Sequence, residues 1–132
     1  MKNLIFFILV IFITGVQAQN IDLNLIPKPV ELKLGKGSYT VTKSTVIGYN
    51  KPESQEIAEM LIEKLNQVTG FNLKATTGKK GAIQLSLNST PDQQLGSEGY
   101  SLVATSKGVL ISANKPAGLF YGMQTMLQLL PA

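Results

Sequence analysis

The 132-residue chain contains no histidine, cysteine, tryptophan or arginine. Without histidine and cysteine it has no imidazole or thiolate to bind zinc, iron or copper, and we expect neither a metal site nor a cofactor. A Ser-His-Asp or Cys-His catalytic arrangement is excluded because its base is missing. The absence of cysteine also excludes a disulfide framework.

The cationic side chains are all lysines, and only Lys79 and Lys80 are adjacent. They give a formal net charge of +4. Nucleic-acid-binding domains concentrate their charge on one face and depend heavily on arginine, so nucleic acid is not an expected partner. The length suits one domain, since domains cluster near ~100–150 residues, and the 44% of hydrophobic residues is typical of a globular chain.

The first eighteen residues have the pattern of a secretory signal peptide. Lys2 supplies a basic start, residues 4–13 are apolar throughout, and Val16-Gln17-Ala18 fits a small-residue cleavage site. The apolar run is shorter than the ~20 residues of a membrane-spanning helix, which disfavours an uncleaved anchor. We therefore expect residues 1–18 to be removed and residues 19–132 to be exported, either to the periplasm or out of the cell, with no membrane attachment after cleavage.

Apolar residues at helical spacing predict helices over residues 52–68 and 116–130. Asn50 and Asn114 precede them and are predicted N-caps. In the second helix, Gly118 and Gly122 are spaced to allow close approach of another backbone. The first helix is predicted to place three glutamates on a solvated face and six apolar residues against a sheet: Glu56, Glu59 and Glu63 on the former; Ile57, Ala58, Leu61, Ile62, Leu65 and Val68 on the latter.

Short runs of strand-forming residues, separated by turn-forming residues, predict the rest of the fold. A hairpin turn is expected near residues 77–81, a polar loop over 88–99, and a second hairpin over 100–113. The complete order predicts an α+β fold, with a mostly antiparallel β-sheet and two α-helices packed on one face. The predicted strands cover residues 30–34, 39–41, 45–49, 71–76, 83–87, 100–105 and 109–113.

Several motifs occur in a characteristic order along the chain. Leu25-Ile26-Pro27-Lys28-Pro29 opens the mature part, and Glu98-Gly99-Tyr100-Ser101-Leu102 begins the second hairpin. The run Gly118-Leu119-Phe120-Tyr121-Gly122-Met123-Gln124-Thr125 follows in the last helix. This order resembles the N-terminal, non-catalytic domain of glycoside hydrolase family 20, the β-N-acetylhexosaminidases. The resemblance covers nearly all of residues 19–132.

The resemblance implies an intact enzyme that removes terminal N-acetylhexosamine from glycans with help from the acetamido group of the sugar. In the family an Asp-Glu pair, an arginine and several tryptophans on a TIM barrel carry out this reaction, and such a barrel needs about 250 residues. This chain contains no Asp-Glu pair, arginine or tryptophan, so no catalytic residue is carried over. We expect an accessory domain, truncated before its catalytic barrel and inactive alone, which meets an amino-sugar glycan only through that barrel.

The last helix has a wide apolar arc, as expected for a helix held between its own sheet and a second domain. Its predicted domain-docking residues are Leu119, Phe120, Tyr121, Met123 and Leu127.

Two other functions are compatible with the sequence. A free-standing extracytoplasmic module could bind a glycan or a protein, and its candidate aromatic platforms are Tyr39, Tyr49, Tyr100 and Tyr121. An unfamiliar enzyme could use Glu98, Tyr100 or a lysine, although no residue pattern indicates the pocket that would activate them.

Overall fold

A computed structural model describes residues 23–78 and 80–131 of the protein. The predicted signal peptide, residues 1–18, lies outside the described residues. Within them, one five-stranded sheet packs against two α-helices, and a short 3-10 turn, Pro52–Ser54, leads into the first helix. The elements are β1 (Val46–Tyr49), α1 (Gln55–Thr69), β2 (Lys74–Thr77), β3 (Ile83–Leu87), β4 (Tyr100–Thr105), β5 (Gly108–Ala113) and α2 (Pro116–Gln128).

The strand order across the sheet is β2-β1-β3-β5-β4. The predicted α+β class is confirmed, but the sheet is mixed rather than mostly antiparallel. The pairs β1–β2, β1–β3 and β3–β5 are parallel, and only β4–β5 is antiparallel. The predicted hairpin over residues 100–113 is therefore confirmed. The predicted hairpin turn at residues 77–81 is wrong, because β1 lies between the two strands that this turn would join.

The strand directions follow from the connections. Helix α1 carries the chain from β1 back across the sheet, and a helical crossover of this kind joins parallel neighbours. Strand β5 enters beside β3 after the β4–β5 hairpin has reversed the chain, so it runs parallel to β3. The alternating pattern of β3 fits this arrangement, since Ile83, Leu85 and Leu87 are buried while Gln84 and Ser86 are partly exposed.

The hydrophobic core lies between one face of the sheet and the two helices. Alternate residues of β1, β3 and β5 point into it, and Ile47, Ile83 and Ile111 are completely buried. Helix α1 contacts β1 and β2, helix α2 contacts β3, β4 and β5, and the two helices contact each other. Both helices therefore cover the same face, as predicted.

The glycines of α2 have the packing role that their spacing predicts. A Cβ atom on Gly118 would collide with the carbonyl oxygen of Gly99, and one on Gly122 would collide with Ile111. These contacts bring α2 close to β5 and to the start of β4. The opposite face of the sheet is open, and Val103 and Leu110 lie side by side on it, both exposed.

Residues 30–34 and 39–41 do not form the predicted strands. Val30, Leu32 and Leu34 alternate with charged residues, which is a strand-like pattern, but their side chains are exposed and no strand of the described residues pairs with them. A β-pattern alone does not supply the partner that a strand requires. Tyr39 and Val41 instead pack against the edge of the core.

Candidate docking surface

Helix α2 carries the residues that were predicted to dock a second domain. The helix begins after Lys115, whose backbone is extended, and Pro116 occupies the first turn, where a missing N–H has no cost. Asn114 does not cap this helix as predicted, because its side chain is bound to other groups. Thirteen residues give α2 an inner side against the sheet and an outer side away from it.

The inner side contains two of the five predicted docking residues. Leu119 is completely buried and Met123 is almost so, and both belong to the core between helix and sheet. The side chains of these two residues are covered by the domain itself, so they present no surface to a partner. The wide apolar arc of α2 includes both the face that packs in the core and the exposed flank. The spacing of apolar residues in the sequence does not distinguish the two.

The outer side contains a row of exposed residues, which we call the outer stripe of α2: Ala117, Tyr121, Gln124 and Gln128. Tyr121 is 46% exposed, and its ring packs edge-to-face on Phe120 with the ring centroids 5.8 Å apart. Phe120 and Leu127 are half-buried on the flanks of the stripe. Tyr121, Phe120 and Leu127 are therefore accessible, and their docking role stays a prediction.

The outer stripe carries no charge, and neither does any other residue of α2. Helix α1 differs, because its exposed side carries Glu56, Glu59 and Glu63, as predicted for a solvated face. Two of these glutamates accept hydrogen bonds from glutamines one turn away. Charge is depleted and tyrosine is enriched at the centres of protein interfaces. The composition of α2 is therefore that of an interface helix, whereas α1 has the composition of a surface helix.

The outer stripe continues into residues 23–34, which we call the N-terminal strap. The Gln128 side chain donates to the backbone oxygen of Ile26 and accepts from its backbone nitrogen, both at 3.0 Å. Leu25 is buried. A groove of about 580 Å³ separates the strap from β4 and α2. Its lining includes Pro29, Leu32, Tyr100, Leu102, Thr125 and Leu129.

The four tyrosines proposed as aromatic platforms differ in accessibility. Tyr39 and Tyr100 are half-buried, and their hydroxyl groups share hydrogen bonds with Thr45 and Thr125. Tyr49 is half-buried and packs on the core. Among the four tyrosines only Tyr121 is exposed, so it is the one candidate platform with an open ring.

Of the groups proposed for an unfamiliar enzyme, Tyr100 and Lys28 line the groove beside the strap, whereas Glu98 does not. Glu98 is exposed in the loop, and Tyr100 is engaged with Thr125. Residues 23–78 and 80–131 contain no group of three or more side chains able to hold one metal ion. The same residues contain no helix of the length and apolarity needed to cross a membrane.

Comparison with known proteins identifies the class of this domain. The family described as glycosyl hydrolase family 20, domain 2, matches residues 22–132. The chain therefore belongs to this family, and the predicted resemblance to its non-catalytic domain is confirmed.

Similar proteins agree with this assignment. The chain is 35% identical to a β-hexosaminidase of Porphyromonas gingivalis, over 83% of this chain but 14% of that protein. It is 30% identical to a lacto-N-biosidase of Bifidobacterium bifidum, over 73% of this chain and 9% of that protein. A solved N-acetyl-β-hexosaminidase of Streptomyces plicatus superimposes with a TM-score of 0.76 and 38% identity, covering 83% of this chain and 22% of that one. The sequence thus spans a small part of each of these proteins.

Proposed function

We propose that this domain is the accessory domain of an exported β-N-acetylhexosaminidase, and that it supports a catalytic barrel which hydrolyses terminal N-acetylhexosamine. Its membership of family 20, domain 2, and its similarity to β-hexosaminidases support this proposal. The sequence contains no Asp-Glu pair, arginine or tryptophan, so the chemistry belongs to the barrel. The signal-like residues 1–18 support the export of the protein.

The observation that carries the docking role is the uncharged outer side of α2. An exposed helix of a free domain normally has a charged outer face, as α1 has. Tyr121, Phe120 and Leu127 offer a barrel an aromatic and apolar contact there, and the glutamines provide hydrogen bonds at its margin. We assign these three residues to the contact with the barrel.

A chimera tests this proposal. Residues 22–132 of this chain replace the matched region of the Porphyromonas gingivalis β-hexosaminidase, and hydrolysis of 4-nitrophenyl N-acetyl-β-glucosaminide is measured. We expect an active, folded chimera, whereas this chain alone shows no hydrolysis. An inactive or unfolded chimera would contradict the supporting role.

Tyr121→Ser then tests the contact itself. Central tyrosines of interfaces contribute about 2 kcal/mol or more, so this substitution should destabilise the chimera more than it destabilises the free chain. Val103→Ser is the matched control, because Val103 is 50% exposed but lies on the open face of the sheet. If both substitutions destabilise the chimera equally, Tyr121 does not lie in the interface.

The alternative function is a free-standing glycan-binding or protein-binding module, and the exposed ring of Tyr121 is the observation that favours it. Titration of the chain with N-acetylglucosamine oligomers, followed by tyrosine fluorescence, separates the two functions. A saturable change that Tyr121→Ser abolishes would support the module. We expect no response, since the proposed role of Tyr121 is protein contact.

A further inference from the structure

The N-terminal strap presents an unusual concentration of exposed apolar side chains. Four of the nine large hydrophobic residues that are exposed in the described part of the chain lie within residues 26–34: Ile26, Val30, Leu32 and Leu34. Single exposed apolar residues are normal on a protein surface, but a contiguous group marks an interaction site. Val30 is fully exposed, so it contributes nothing to the packing of the domain itself.

The strap is held in place at its beginning. Two hydrogen bonds join the Ile26 backbone to the side chain of Gln128, and Leu25 is buried. Because Gln128 also belongs to the outer stripe of α2, the apolar strap and the uncharged stripe form one continuous surface. Leu129, which is exposed immediately after α2, lies on the same groove as Val30 and Leu32.

We propose that the strap is the second half of the surface that docks the catalytic domain, with Val30 and Leu32 as its central contacts. This inference rests on the proposed function and adds to it an element outside α2. The occupant is an apolar patch of the catalytic domain, bordered by polar groups that meet Lys28, Glu31 and Lys33. These three charged residues are exposed, as the rim of an interface should be.

Two observations favour the catalytic domain over a second copy of this chain. The surface is continuous with the outer stripe of α2, which is already assigned to that contact. The matched region also accounts for only 14% of the Porphyromonas gingivalis protein and 22% of the Streptomyces plicatus structure. Most of each relative therefore lies outside this domain and is available to cover such a surface.

The test compares Val30→Ser with Val68→Ser, in the chimera and in the free chain. Val68 is a matched control because it is also a valine, is 73% exposed, and lies near the end of α1 outside the proposed surface. We expect Val30→Ser to lower the Tm of the chimera by at least about 2 °C, the shift of roughly 1 kcal/mol in a large domain. In the free chain it should change the Tm no more than Val68→Ser does.

Hydrogen exchange gives a second measurement that does not depend on a substitution. We expect the backbone amides of residues 30–34 to exchange at least about tenfold more slowly in the chimera than in the free chain, because a docked strap is shielded from water. The inference would be overturned if the exchange rates of residues 30–34 are the same in the active chimera and the free chain, and if Val30→Ser and Val68→Ser lower the Tm of the chimera equally.

Two further outcomes would also overturn it. An equal loss of Tm in the free chain and the chimera would assign Val30 to folding rather than docking. A discrete dimer of the free chain that Val30→Ser dissociates, measured by light scattering, would identify a second copy as the occupant. By contrast, failure of the unsubstituted chimera to fold or to hydrolyse its substrate would overturn the proposed function, and this inference with it.

Discussion

At the scale of single residues, Asn114 fastens the polar loop of residues 88–99 to the end of β5. Its side-chain oxygen accepts from the Asn88 side chain and from the backbone nitrogen of Asp92, at 2.9 and 2.8 Å. Its side-chain nitrogen donates to the carbonyl oxygens of Asp92 and Gly96, at 2.7 and 2.8 Å. Both polar atoms of one side chain are therefore used twice, and the loop is fixed at three residues, Asn88, Asp92 and Gly96.

Asn114→Ala should lower the free energy of unfolding by about 1–2 kcal/mol. Each bond contributes about 1 kcal/mol at most sites, but here several lie close to water, which can replace them. The backbone amide of Asp92 should also exchange faster with solvent. Urea denaturation and hydrogen exchange measure both effects, with the exposed Asn72→Ala as control. A loss no greater than that of the control would show that the loop holds its position without Asn114.

The role of Asn114 could not be predicted from the sequence, and neither could that of Asn50. Both precede a helix, which is the usual place of an N-cap. Asn50 instead binds across the sheet, to both backbone groups of Leu87 at 2.9 Å and to the Ser86 hydroxyl. A side-chain amide forms hydrogen bonds with the strand end that lies next to it. The order of strands in the sheet determines which strand that is, and this order cannot be deduced from the local sequence.

At the scale of elements, helix α1 separates its two faces almost as its sequence predicts. Ile57, Ala58, Leu61 and Leu65 are buried, while the predicted core residue Val68 is 73% exposed. The helix ends at Thr69, and Gly70 continues in the left-handed conformation at φ 69°. Val68 stands in the last turn of the helix and is exposed there, although its spacing suits the apolar stripe.

The two ends of this stripe should respond differently to truncation. Leu61→Ala leaves a cavity in a fully buried position and should lower the free energy of unfolding by about 3 kcal/mol. Val68→Ala should change it by less than about 0.5 kcal/mol, as is usual for surface positions. Urea denaturation of the two variants gives both values. Similar losses for both would mean that Val68 packs against the domain after all.

Periodicity predicted both helices and the five strands that form, but the strands predicted at residues 30–34 and 39–41 are absent and the predicted strand directions were wrong. The α1 crossover between β1 and β2 was visible in the sequence and indicates parallel pairing, whereas short turns elsewhere suggested hairpins throughout. The docking surface on α2 was also only partly predictable from the sequence. Periodicity located the apolar arc of α2, but only the packed sheet shows that Leu119 and Met123 face inward while Tyr121 faces outward. Within the strap, a strand was predicted for residues 30–34 because their alternation is strand-like.

At the scale of the whole molecule, the described domain has three distinct surfaces. The α1 face is charged and the open face of the sheet is mixed. The outer stripe of α2 is uncharged, and it continues into the strap, where exposed apolar residues stand among Lys28, Glu31 and Lys33. The match to this chain covers only 9–22% of the length of the three relatives, which are therefore much longer proteins. A domain with an uncharged helix face beside exposed apolar residues suits a position next to a larger partner, and the two docking tests above use the other two faces as internal controls.

Export of the protein is the last property at this scale, and the first eighteen residues make it testable. The complete chain, expressed in a bacterium with a secretory pathway, should lose residues 1–18 and be recovered outside the cytoplasm with Gln19 as its first residue. Signal peptidases require small residues before the cut, so Ala18→Phe should leave an unprocessed chain. Mass spectrometry and N-terminal sequencing of the fractions distinguish the two products. If the unsubstituted chain stays in the cytoplasm at full length, the prediction of export is contradicted. The docking role would not be affected, because the chimera tests it independently of export.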